Sequence, residues 1–393
     1  MFSIISAIFW VGILVVGYTY VGYGIIIYIF SKIKSRTNVV DIPQNEALPT
    51  VTLLVAAYNE ADIIRDKIAN TLALDYPKEK LELFFVTDGS TDQTPEIIKE
   101  YPAIQLFHSH ERKGKIHAVN RVMKLVKTPI VIFCDANTDL NGEAIRKIVR
   151  HYEDKTVGGV SGEKRIFSKD KDNASGSGEG LYWKYESFLK RKDAEVYSIV
   201  GAAGELFSVR TELYEEPAED MIIEDFYLSL RIAAKGYRFA YEPEACALET
   251  ASASVSEEWK RKVRISAGGF QAMSRLSYLL NPFRYGILTF QYISHRVLRW
   301  TLAPLFLPLI FLSNLWLALQ GLPFYQLTLV LQAAFYALAI AGYILRDKKI
   351  GIKGFFVPYY FAVMNVSVYY GLNRFLRGKQ SVMWEKARRA TAS

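Results

Sequence analysis

Two cysteines in 393 residues, Cys134 and Cys246, exclude a disulfide framework and suit a reducing compartment. Both sit among apolar neighbours and read as small buried hydrophobes. The chain lacks Gly-x-Gly-x-x-Gly and the Walker lysine pattern, so it carries no dinucleotide or ATP fingerprint. No nucleic-acid motif accompanies its net charge of +8. The excess lysine and arginine therefore read as attraction to anionic lipids, with no nucleic-acid partner. Charge is missing altogether from residues 2–30. That stretch is long enough to span a bilayer. It does not read as a secretory signal, because no basic segment precedes it and its apolar run is too long.

The composition is 51% hydrophobic, and the excess lies at the two ends. Three more stretches are candidate spans: 300–320, 323–345 and 355–372, the last interrupted by Asn365 and Ser367. Lys32, Lys34 and Arg36 follow the first span, and Arg346, Lys348 and Lys349 follow the third. By the positive-inside rule these clusters place the globular region in the cytoplasm, at the cell (inner) membrane. A basic tail, with Arg374, Arg377 and Lys386, conflicts with a full fourth crossing. Residues 276–299 read as an interfacial amphipathic helix, with His295 solvated at the interface. The expected division is a membrane helix over 1–32, a globular domain over 48–275, the interfacial helix, C-terminal membrane helices over 300–376 and the tail over 377–393.

Inside the globular region, apolar β-branched runs alternate with helical patterns. Strands are expected at 50–57, 81–87, 104–108 and 130–133. Helices are expected from about 61, capped by Asn59, from Thr94-Pro95, and over 115–127. This alternation predicts an α/β fold with a mostly parallel sheet covered on both faces. Farther on, strands are expected at 157–165, 200–209 and 237–241, a loop at 169–180, and helices at 181–192 and 224–235.

Several short motifs fall at expected strand ends or helix starts. Ala57-Tyr58-Asn59-Glu60 follows the first strand, where backbone N–H groups meet ligands. Asp88-Gly89-Ser90 follows the second, and Asp88 can accept from a base N–H. Gly114-Lys115 opens a helix in a way that suits a diphosphate. Asp135-x-Asn137, with Asp139 close by, offers oxygen ligands for Mg²⁺ or Mn²⁺. Glu224-Asp225 opens another helix, where a carboxylate can take a proton from a hydroxyl. Arg261-Lys262-Val263-Arg264 can clamp a diphosphate or meet lipid headgroups.

In this order, and with Asn120, Gly201-x-x-Gly204 and Pro243-Glu244-Ala245, the motifs over about 48–275 resemble the family 2 glycosyltransferases. These are inverting enzymes of the GT-A fold, many of them membrane-bound. The resemblance implies a Rossmann-like α/β catalytic domain and transfer of a sugar from a nucleotide diphosphate donor, a UDP-sugar, to an acceptor hydroxyl. It places Ala57, Tyr58, Glu60, Asp88, Lys115, Asp135 and Arg264 at the donor. It makes Asp225 the catalytic base and Asp135 and Asn137 the ligands of Mg²⁺ or Mn²⁺. Gly204, Glu224 and Trp183 would border the acceptor. Asn137 departs from the family's Asp-x-Asp, which removes one charge. Processive members carry Gln-x-x-Arg-Trp where this chain has Arg261, Arg264 and Ile265; isoleucine cannot stack on a sugar ring. The implied activity is single transfer to a lipid-linked acceptor such as a polyprenyl-diphosphate saccharide, in surface polysaccharide or glycolipid synthesis. A processive polysaccharide synthase and a non-catalytic sugar-nucleotide-binding membrane protein are the alternatives.

Overall fold

A computed structural model describes residues 2–34, 47–167, 174–250, 255–345, 353–378, 381 and 383. The chain opens with α1 (Phe2–Gly17) and α2 (Tyr23–Ile33), joined through a π turn into one long apolar helix. The α/β region follows: β1 (Val51–Ala57), α3 (Ile64–Leu72), β2 (Leu81–Asp88), α4 (Thr94–Lys99), β3 (Gln105–Ser109), α5 (Lys115–Met123), β4 (Ile130–Asp135), β5 (Thr138–Leu140), α6 (Ala144–Val149), β6 (Val157–Phe167), α7 (Ala174–Val196), β7 (Leu206–Arg210), α8 (Glu224–Ala234) and β8 (Arg238–Thr250). The C-terminal part is helical: α9 (Val255–Arg275), α10 (Pro282–Tyr285), α11 (Ile287–Tyr292), α12 (Leu298–Trp300), α13 (Leu302–Leu319), α14 (Pro323–Leu345) and α15 (Lys353–Leu376).

The eight strands form one mixed sheet in the order β3-β2-β1-β4-β7-β6-β8-β5. β3, β2, β1 and β4 are parallel, β7 is antiparallel to both of its neighbours, and β8 is parallel to β6. Strand side chains alternate between faces. Val51, Leu53 and Val55 of β1 therefore join one apolar core, and Leu54 and Ala56 join the core on the other face. Helices cover both faces, which is why β1 and β4 read as continuous apolar runs rather than alternating ones.

The sheet confirms the expected α/β class, with several local corrections. Asn59 does not cap a helix at 61; α3 starts at Ile64, and Asn59 sits in the left-handed region at φ 52°. The strand expected over 200–209 shrinks to β7, because Gly201 adopts φ 98° and turns the chain. The loop expected at 169–180 is helical from Ala174 onward; its first residues lie outside the described ones. β8 is far longer than the strand expected at 237–241, and it pairs with β5, an element the sequence reading did not contain.

Among the described residues three helices are long and apolar enough to cross a membrane: Phe2–Ile33, Leu302–Leu319 and Pro323–Leu345. α15, the expected fourth candidate, is not among them. It packs along α9 and against α7, and its buried Asn365 accepts a hydrogen bond from Tyr20 at 2.7 Å. The expected interfacial helix over 276–299 is broken into short pieces, with Gly286 at φ 50°. His295 is not solvated at an interface. It is fully buried, with Nδ1 2.6 Å from Asp193.

Candidate active site

Parallel strands bring their C-terminal ends to one edge of a sheet, and the order β2-β1-β4 puts three motif-bearing ends side by side. Ala57 pairs with Thr87, and Ala56 with Asp135. The loop after β1 is pinned to the loop after β2. Thr91 N donates to Asn59 Oδ1 at 2.8 Å, Glu60 N to Thr94 Oγ1 at 2.8 Å, and Ala61 N to Asp92 at 3.0 Å. Glu60 is buried beneath that junction. Asp88 accepts from the backbone N–H groups of Lys113 (3.1 Å) and Gly114 (2.6 Å), so its carboxylate holds the loop leading into α5. Gly89 is required there: its φ is +65°, and a Cβ would lie 2.5 Å from that of Arg112. The Arg112 guanidinium lies 3.8 Å from the ring centre of Tyr58. Ala57, Tyr58, Asp88, Arg112 and Lys115 line a small hollow at this edge.

Lys115 opens α5 and reaches two acids from different elements. Its Nζ lies 2.8 Å from Asp135 Oδ1 on β4 and 3.0 Å from Glu224 Oε1 on α8. Burial opposes the ammonium charge, but these two carboxylates outweigh it and hold Lys115 above its ordinary range. Burial pushes Asp135 up despite Lys115, and Glu205 and Glu224 add to the push. Asp225 follows Glu224 in the first turn of α8. Burial first, then the neighbouring Glu224, raises its carboxyl to about 7. Gly204 is packed against it, and a Cβ there would sit 3.0 Å from Asp225 Oδ2. Arg264, on α9, is shifted down by burial, while Glu224, Asp135 and Asp225 attract its charge.

Asn137 lies beyond the end of β4, and its Nδ2 donates to Glu249 at 2.9 Å. Glu249 and Glu205 share Lys164, which is 2.5 Å from Glu205, and Arg261 donates to Glu205 at 3.0 Å. Asp135 shares its contacting cation, Lys115, with Glu224. A divalent cation fits such a place. Among the described residues no group of three His, Cys, Asp or Glu side chains forms a metal-ligand set. Mg²⁺ commonly takes one or two carboxylates, with water and phosphate oxygens completing the shell. Asp135 and the Asn137 carbonyl oxygen suit that sparse arrangement. Asp139 is exposed on β5, between buried Thr138 and Leu140.

Asp225 also borders a cavity of about 410 Å³. Its lining includes Gly204 and Glu205, Tyr182 and Trp183 of α7, Arg261 and Ile265 of α9, and residues of α15. The Lys262 ammonium lies 5.0 Å from the ring centre of Tyr182 and 5.4 Å from that of Tyr360.

Residues 52–216 match the family described as Glycosyl transferase family 2. Over those residues the chain resembles a family 2 glycosyltransferase domain. It is 31% identical over 243 residues to poly-beta-1,6-N-acetyl-D-glucosamine synthase of Staphylococcus aureus (strain MSSA476), covering 58% of this chain and 57% of that protein. It is 27% identical over 266 residues to the enzyme of that name from Staphylococcus epidermidis, covering 64% and 62%. The chain therefore spans a little under two thirds of the length of these curated relatives. Among solved structures it resembles the mannosyltransferase PcManGT from Pyrobaculum calidifontis in complex with GDP-Man and Mn²⁺. The TM-score is 0.71 at 22% identity, over 95% of this chain and 99% of that one. This likeness shows a shared GT-A fold that extends beyond the glycosyltransferase sheet into the flanking helices.

Lys115, Asp135, Glu224 and Asp225 come together, while Trp183 and Gly204 both line the cavity. Asp88 and Tyr58 lie at the hollow that Lys115 also borders. Sequence reasoning missed Glu205, Glu249 and Lys164. Glu205 adjoins the singled-out Gly204, but only its place at the start of β7, beside β4, links it to Asp135.

Proposed function

We propose that this protein is a membrane-bound inverting glycosyltransferase that moves a sugar from a UDP-sugar to an acceptor hydroxyl, in surface polysaccharide or glycolipid synthesis. The observation that carries this reading is the position of Asp225. It borders the large cavity and lies within the field of the Glu224 carboxylate and the Lys115 ammonium. A carboxyl near neutrality can accept a proton from an attacking hydroxyl at physiological pH. The acceptor oxygen bonds to the anomeric carbon, the bond from that carbon to the diphosphate breaks on the opposite face, and the proton passes to Asp225.

The donor occupies the strand-end edge. Its base lies in the hollow of Tyr58, Asp88 and Arg112, and its diphosphate lies toward Lys115 and Arg264. Asp135 and Asn137 would hold Mg²⁺ or Mn²⁺, which when bound offsets charge on the departing diphosphate. The acceptor, lipid-linked or saccharide, takes the cavity beside Gly204, Glu224 and Trp183. The three candidate spans support placement in the cell (inner) membrane, and the basic Lys32 and Lys34 favour a cytoplasmic catalytic face.

The relatives named as polymer synthases favour a second reading, processive synthesis. Ile265 lines the cavity where processive enzymes present an aromatic surface, which favours single transfer. Product length separates the two. The deciding experiment offers the purified protein a panel of nucleotide sugars with Mg²⁺ or Mn²⁺ and measures nucleoside diphosphate release. Release from one donor that disappears in Asp225→Asn is expected. Equal release by that variant would refute the assignment of the base.

A further inference from the structure

Five cationic side chains line the large cavity: Lys190, Arg261, Lys262, Arg296 and Arg299. Four of them meet a carboxylate. Arg261 lies 3.0 Å from Glu205, Lys262 3.3 Å from Glu258, Arg296 3.0 Å from Glu186, and Arg299 contacts the other oxygen of Glu186. Lys190 differs. It is only 5% exposed and lines the cavity, yet among the described residues no carboxylate or other acceptor lies within bonding reach of its Nζ. Its natural partner would be Glu186, one turn earlier on α7. Both oxygens of Glu186 are already engaged by Arg296, Arg299 and His295. Glu163, Glu186 and Glu205 act on the Lys190 ammonium from farther away. A buried ammonium that no acceptor contacts is unfavourable, and an anion in the cavity would relieve it.

The wall formed by α15 has different chemistry. It brings Val357, Phe361, Met364 and Val368 to the cavity, with Tyr360, Asn365 and Ser367 among them, and Tyr20 joins from the first candidate span. Against the five cations, the described residues of the lining include three acids: Glu186, Glu205 and Asp225. A ligand that satisfies both walls has a head carrying more than one negative charge and a hydrocarbon tail.

We propose that the cavity seats a phosphorylated amphiphile, with its phosphate on Lys190 beside Arg296 and its apolar chain along α15. This deepens the acceptor half of the proposed function and rests on it. The phosphate is recognised rather than consumed, and it anchors the acceptor so that a hydroxyl reaches Asp225. Charge-assisted hydrogen bonds to phosphate are strong, so removing the Lys190 ammonium should weaken binding by about 10–100-fold.

The test is binding to the full-length protein in detergent, read by tryptophan fluorescence, since Trp183 and Trp300 line the cavity. A short-chain prenyl phosphate should bind at least about tenfold more tightly than the corresponding prenyl alcohol. Lys190→Met should abolish that preference, and Lys190→Arg should retain most of it. Equal binding of phosphate and alcohol to the wild-type protein would overturn the proposal even if no variant folds, as would an unchanged preference in Lys190→Met. Inorganic phosphate binding as tightly as the prenyl phosphate would also overturn it, because the α15 wall would then contribute nothing. A preference for prenyl phosphate over phosphatidic acid assigns the site to an isoprenoid carrier, and the reverse to a bilayer lipid; both support phosphate recognition. Binding is read without turnover, so its failure leaves the donor-cleavage reading intact. Absence of nucleoside diphosphate release would refute that reading separately.

Discussion

Replacing Asp225 by asparagine removes a proton-binding group that the fold holds at about 7, against an ordinary value of 3.8. Burial is the main cause, and the adjacent Glu224 carboxylate adds to it. In the unfolded chain the carboxyl loses its proton near pH ~4. Between that pH and about 7, the folded state binds a proton that the unfolded state has released. Stability therefore falls as pH rises through this window and levels off above it. At 1.36 kcal/mol per pH unit the full penalty is about 4 kcal/mol. The carboxyl also borders an open cavity, so screening reduces the expected penalty to roughly 2–4 kcal/mol. Asparagine cannot ionise and escapes the penalty. Thermal unfolding of both proteins in detergent should give similar midpoints at or below about pH 4, and a variant that is more stable by several degrees at about pH 8. Transfer should fall by about 10²–10⁴-fold in the same variant. Wild-type kcat/KM should rise about tenfold per pH unit and flatten near 7. A stability difference independent of pH would show that Asp225 is an ordinary carboxylate and would remove the basis for naming it the base.

Glu224→Gln removes a neighbouring negative charge from Asp225, so the acid limb of the pH–rate profile should move below 7. Lys115→Met leaves Asp135 and Glu224 without their shared cation; a loss of about 3 kcal/mol in denaturant unfolding and weaker nucleotide-sugar binding are expected. Gly204→Ala places a Cβ 3.0 Å from Asp225 Oδ2, and displacement of that carboxylate should cost about 10²-fold in kcat with the fold retained, as checked by circular dichroism. Chelation should abolish nucleoside diphosphate release, with Mg²⁺ or Mn²⁺ restoring it; in Asp135→Ala, added metal should no longer tighten nucleotide binding. Unchanged metal-dependent affinity in that variant would count against Asp135 as a ligand.

The sequence was legible where local pattern and chemistry coincide. Strands β1, β2 and β4 each end on a polar motif, and a strand buried on both faces must be apolar along its length, so Ala57, Asp88 and Asp135 could be read as edge residues. Asn59 was misread because its side chain bonds the loop after β2 rather than its own helix; nothing nearby in the sequence reveals that partner. The same holds for Glu249, which reaches Asn137 only because β8 returns along β5 and β6.

By itself the sequence determined the α/β alternation, the apolar helices and the acids Asp135 and Asp225, because strand burial, span length and charge are properties of short segments. Only the tertiary structure decided which charges meet. Lys115 joins Asp135 and Glu224 across three elements, α15 lines the cavity, and among the described residues Lys190 is left without a bonded partner because Arg296 and Arg299 engage Glu186 from more than 100 residues away. Charge pairing acts over a few ångströms of space, and separation along the chain does not report that distance.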